Sequence, residues 1–148
     1  MKINHEIIYI DTEQSIEIYN ITPKIQEKLT TTKIQNGQVC VFSRHTTTAI
    51  AINEYEERLL EDIKTYLRKL APDTDQYLHN DLHLRIVPPD EPMNAHSHLM
   101  AMTLSTSEVI PIVDGKLALG TWQSVLFVEL DGPRTRSLSL QFWGEELD

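Results

Sequence analysis

The chain is short of several things, and each shortage removes a class of protein. It has one cysteine, Cys40, set in the apolar run Val39-Cys40-Val41-Phe42. A disulfide framework within the chain is therefore impossible, which fits a reducing compartment, and Cys40 reads as a small buried hydrophobe. Basic residues are outnumbered: 13 Lys and Arg face 22 Asp and Glu, for a net charge of -9. A non-specific nucleic-acid binder needs a basic face to displace counterions, so that role is not expected. No apolar run approaches the ~20 residues of a membrane span, and Met1-Lys2-Ile3-Asn4-His5-Glu6 carries no signal-peptide pattern. Repeats, linkers and low-complexity tracts are also missing. The expectation is one cytoplasmic domain over residues 1–148, long enough to bury a core.

What is present alternates. Residues 3–10 and 14–20 are rich in Ile and Tyr around Asp11-Thr12-Glu13, which predicts a hairpin. Thr22-Pro23 predicts a helix start, with Thr22 as cap. Asn36-Gly37 signals a turn, followed by strands over 38–43 and 46–53. Tyr55, Leu59, Ile63, Tyr66, Leu67 and Leu70 form a stripe at helical spacing and read as core. Residues 71–94 are polar and Pro-rich, a long loop of the kind that is usually functional or disordered, and its His79–His83 segment favours function. A further helix is expected from Ala95 to Leu104, capped by Asn94. Strands follow over 109–113, 116–119, 122–130 and 135–143, with a hairpin turn at Asp114-Gly115. This order predicts an α+β fold, a mainly antiparallel, sandwich-like sheet with two to three helices.

The chemistry gathers on histidine. Asn94-Ala95-His96-Ser97-His98 holds two of the six. His45 precedes three threonines, and His79 and His83 lie in the long loop. Imidazole ligates borderline metals and moves protons near neutral pH. A His-x-His pair shares one face of a strand but diverges by about 200° on a helix, so a structural role for either stays open. A second constellation is Gly120-Thr121-Trp122-Gln123 with Arg134 and Arg136, where guanidinium suits phosphate or carboxylate. Solvated hairpin arginines are the alternative. Asn53-Glu54 ends a strand before the long helix; Glu54 reads either as a favourable charge at the helix start or as an acid/base. Free N–H groups of the helix beginning near Asn94 offer an anion site.

These segments also carry a likeness. His45-Thr46-Thr47, Ile52-Asn53-Glu54, His79-Asn80-Asp81, Asn94-Ala95-His96-Ser97-His98-Leu99, Leu119-Gly120-Thr121-Trp122-Gln123 and Glu129-Leu130-Asp131-Gly132-Pro133-Arg134 stand in the order of the YjbQ family, UPF0047. The chain resembles that family over nearly its whole length. The resemblance implies a sandwich-like homotrimer with a pocket near the subunit interface. It also implies thiamine-phosphate synthase-like transfer on a pyrophosphorylated small molecule. On it, His45, His79, His96 and His98 hold a divalent metal, zinc first and magnesium next. Glu54, His45 and His79 are the catalytic candidates; Asn53, Asn94, Thr121, Gln123, Arg134 and Arg136 the substrate or anion contacts. The alternatives are a metal-dependent hydrolase of small phosphate esters and a non-enzymatic trimeric binder of a metabolite or metal.

Overall fold

Alternating apolar and polar residues place side chains on opposite faces of a strand, and most of this chain obeys that period. The computed structural model describes residues 1–146. In chain order the elements are β1 (Lys2–Asp11), β2 (Glu17–Asn20), α1 (Thr22–Thr32), β3 (Ile34–Ser43), β4 (Thr48–Asn53) and α2 (Glu57–Leu70). Two single-turn 3-10 helices follow, Leu78–Asn80 and Leu82–Leu84, then α3 (Ala95–Thr103), β5 (Ser107–Val113), β6 (Lys116–Leu117), β7 (Ser124–Glu129) and β8 (Thr135–Glu146). The fold is α+β, as the sequence predicts.

The strands make two antiparallel sheets, one ordered β1-β8-β3-β5-β6 and one ordered β2-β7-β4. The first core lies between them. Val39, Val41, Leu138, Leu140 and Phe142 of the large sheet meet Ile50, Val125 and Phe127 of the small one, with Ile25 and Leu29 of α1 beside them. The second core lies on the other face of the small sheet, where Ile18, Ala49, Leu126 and Val128 meet Leu67 of α2 and Met100 of α3. β7 is covered on both faces, so its apolar run is continuous rather than alternating. Each fully buried large side chain here contributes about 1.5–3 kcal/mol.

The outer face of the large sheet lies open. Ile3, Tyr9, Phe42, Val109 and Val113 are all exposed there.

Three local expectations are corrected. β1 and β2 are not a hairpin: β1 pairs with β8 and β2 with β7. The link between them is tied down elsewhere, with Thr12 N–H donating to the Arg134 carbonyl at 2.8 Å. Asn36-Gly37 is not a turn but lies inside β3, beside an irregularity in register. A Cβ on Gly37 would fall 2.0 Å from the Trp143 carbonyl oxygen, so glycine serves close strand approach there. The stripe on α2 is only partly core, since Leu67 is buried while Tyr66 is 62% exposed.

The ends of α1 and the long loop are held by side chains. The helix begins at Thr22, and the Thr22 hydroxyl accepts from Val125 N–H at 2.8 Å instead of capping. Residues 71–94 are braced by the Tyr77 hydroxyl donating to the Pro72 carbonyl (2.7 Å) and by Arg85 donating to the His79 carbonyl (2.8 Å). Among the described residues no helix is long and apolar enough to cross a membrane.

Candidate functional site

β3 ends at Ser43, the chain turns through residues 44–47, and β4 begins at Thr48. The Ser43 and Thr48 hydroxyls hydrogen-bond to each other across this turn. α3 packs on β4. Between the turn and the helix opens a cleft of about 480 Å³, to which the turn contributes His45 and the helix His98.

The two imidazoles are committed differently. His45 Nε2 accepts from Ser137 N–H at 3.0 Å. That bond places the proton of the neutral ring on Nδ1 and makes Nδ1 the donor. Burial pushes the His45 pKa down, the Arg136 guanidinium adds to this, and the Glu129 carboxylate partly opposes it. Burial also lowers the pKa of His98; neighbouring His79 adds to the shift and Asp131 opposes it. The His79 and His98 rings meet edge to face, with centroids 4.8 Å apart. Both shifts favour the neutral form of the ring.

Behind His45 lies a buried ion pair. Arg136 Nε and Nη2 donate to the two carboxylate oxygens of Glu129 at 2.8 and 2.7 Å, and Nη2 also reaches the Thr47 hydroxyl at 2.7 Å. The Thr12 hydroxyl donates to the same carboxylate at 2.7 Å. Burial alone would raise the Glu129 pKa; the bonds from Arg136 and Thr12 outweigh it and hold it below the ordinary carboxylate value. This corrects the anion role expected of Arg136: its guanidinium is buried and already committed.

The remaining candidates fall into separate neighbourhoods. Asn94 Nδ2 donates to Asp131 Oδ2 at 2.7 Å, and Arg134 bonds the same carboxylate at 2.9 Å. Asn94 therefore stands at the start of α3 without capping it through its side chain. Asn94 Oδ1 and His79 Nε2 are buried without a hydrogen-bond partner among the described residues. His96 lies against a different cavity, of about 240 Å³, with Arg68 and Asp73. Asn53, Glu54 and Gln123 line a groove with Trp122. Thr121 adjoins it in the turn, where Gln123 Oε1 accepts from Gly120 N–H at 2.8 Å. That groove sits at the far end of β4 from His45, six strand residues away, or roughly 17 Å. Within one chain Glu54 is not a partner of His45 and His79.

The four-histidine metal centre is likewise corrected. Among the described residues no group of three or more His, Cys, Asp or Glu side chains could hold a metal ion. α3 points His96 and His98 to different cavities, as the helical angle between them requires, and Ser137 already occupies His45 Nε2.

Sequence reasoning passed over Arg44, which lines the cleft, and Glu129. The signal for the ion pair was there. Leu138, Leu140 and Phe142 face inward, and the same period puts Arg136 inward too.

Comparison with known proteins agrees with this fold. The family model described as UPF0047 protein YjbQ-like matches residues 6–145. A UPF0047 protein of Methanothermobacter thermautotrophicus is 39% identical, over 98% of this chain and 95% of that protein. A hypothetical protein of Aeropyrum pernix, solved by crystallography, is similar at a TM-score of 0.87 and 39% identity, covering 96% of this chain and 99% of that one. A Sulfolobus solfataricus structure, described as a YbjQ-like protein of unknown function, is similar at a TM-score of 0.88 and 35% identity, covering 97% and 99%. The thiamine-phosphate synthase expectation is overturned. These relatives carry no such activity in their descriptions, and the metal-binding pocket it called for is not formed by the described residues.

Proposed function

This chain belongs to the YjbQ-like UPF0047 family, and we propose that it is an enzyme of the acid–base kind, working on a small molecule in the His45–His98 cleft. One observation carries the reading: two imidazoles with lowered pKa share a cleft, and among the described residues only one of them has a hydrogen-bond partner. His98 takes a proton from the substrate or from an attacking water. His45, its tautomer set by Ser137, donates from Nδ1 to the oxygen that gains negative charge. The buried Glu129–Arg136 pair holds the strand that carries Ser137 and so holds His45 in orientation.

The test is a turnover screen against a panel of small esters, amides, lactones and hydroxy acids. His98→Gln is expected to lower any turnover found by about 10²–10⁴-fold, while His96→Gln, altered on the other face of α3, leaves it unchanged. Full turnover in His98→Gln would sink the assignment.

We also propose that the open face of the large sheet is covered in a homotrimer. Its exposed apolar residues Ile3, Tyr9, Val109 and Val113 support association; the number three rests on the family resemblance alone.

A further inference from the structure

The cleft has a charge pattern unlike the rest of the molecule. The chain carries a net charge of -9, yet no acidic residue lines the cleft among the described residues. Its one formal charge is Arg44. The Arg44 guanidinium makes a single weak contact, Nη1 to the Ser137 hydroxyl at 3.5 Å, and no carboxylate lies within ion-pair distance of it among the described residues. An unpaired guanidinium in an acidic protein attracts anions, and its planar fork matches a carboxylate bidentately.

The opposite requirement comes from Phe42, Ala101 and Met102, which also line the cleft. Phe42 is 44% and Met102 81% exposed. Apolar side chains so exposed gain by meeting an apolar ligand, and methionine adapts to its shape. A volume of about 480 Å³ is in the range of small-molecule sites.

We propose that the cleft binds a small monocarboxylate with a short apolar chain, the carboxylate on Arg44 and the chain against Phe42, Ala101 and Met102. Charge decides against a pyrophosphate. That group carries about three negative charges at neutral pH, and the cleft offers one cation, so most of its charge would be left unpaired. The Ser43, Thr46 and Thr48 hydroxyls add hydrogen-bonding capacity but no charge. This inference rests on the His45–His98 cleft being the site proposed above, and it names what that site accepts.

The experiment is calorimetric and NMR-detected titration of the full chain with butyrate and 3-methylbutanoate, with ethyl phosphate, inorganic pyrophosphate and butylamine as comparisons. The carboxylates are expected to bind and to shift the His45 and His98 imidazole resonances. Arg44→Gln is expected to weaken them at least tenfold; Arg44→Lys, which keeps charge but not the fork, by less; His96→Gln, against the other cavity, hardly at all. Carboxylate binding that is absent, or equal in Arg44→Gln, overturns the inference. So does pyrophosphate or butylamine displacing butyrate at lower concentration. Failure of the catalytic reading looks different: Arg44-dependent butyrate binding together with full turnover in His98→Gln leaves this inference standing and removes that one.

Discussion

Replacing Arg136 by methionine isolates the buried ion pair. The Arg136 side chain is 5% exposed and that of Glu129 0%, so the change strands a carboxylate away from water. Only the Thr12 hydroxyl and the Asp131 backbone N–H, at 2.7 and 3.0 Å, would remain to it. Breaking such a pair costs about 3–5 kcal/mol. For a chain of this size that is a drop in Tm of roughly 6–20 °C. The pH dependence has a definite sign. In the native protein the Glu129 pKa is depressed, so the ionised pair supplies stability above the ordinary carboxylate range and loses it as pH falls through the depressed value. In Arg136→Met burial is opposed only by the Thr12 and Asp131 bonds, and the pKa rises from its native position. The stranded charge is then worst near pH 7 and is relieved as acid protonates it. Urea unfolding at pH 7 and pH 4 should show the difference between native and variant shrinking with acidification. The double change Glu129→Leu with Arg136→Met should recover much of the loss, since it leaves no buried charge. A loss below about 1 kcal/mol, or one equal at both pH values, would refute this account.

The imidazoles give a second prediction. NMR titration should place His45 and His98 below the ordinary histidine value, in keeping with their burial, so the acid limb of any turnover lies below pH 6.5; ordinary or raised values would remove His98 as a neutral base. For assembly, light scattering should give three times the 17.0 kDa chain mass, and Val109→Asp on the open sheet face should reduce it. A monomeric native protein would end the trimer proposal.

The sequence made some of this legible and hid the rest for physical reasons. α2 and the Asp114-Gly115 turn were readable because their signals are local: a helical stripe, and two positive-φ positions in succession, at Asp114 and Gly115. The pairing of β1 with β8 joins residues such as Ile3 and Trp143, and no neighbouring residues announce it. Asn36-Gly37 has turn chemistry, but close packing against Gly144 overrides it. At the site, the histidines were found and their grouping was not. Two residues on a helix read as one motif while facing two cavities, and Glu54 looked near His45 because β4 is short in sequence though long in space. Arg136 looked like a surface cation because its partner, Glu129, comes from another strand.

β8 lies between β1 and β3 in the large sheet. It leaves the ribosome after the other described strands, so β1 and β3 wait without the neighbour that joins them until it emerges. Helices can form as they emerge, but the large sheet is assembled only once β8 has been made. Its apolar strands are therefore exposed to chaperones, and to each other on adjacent nascent chains, until β8 arrives.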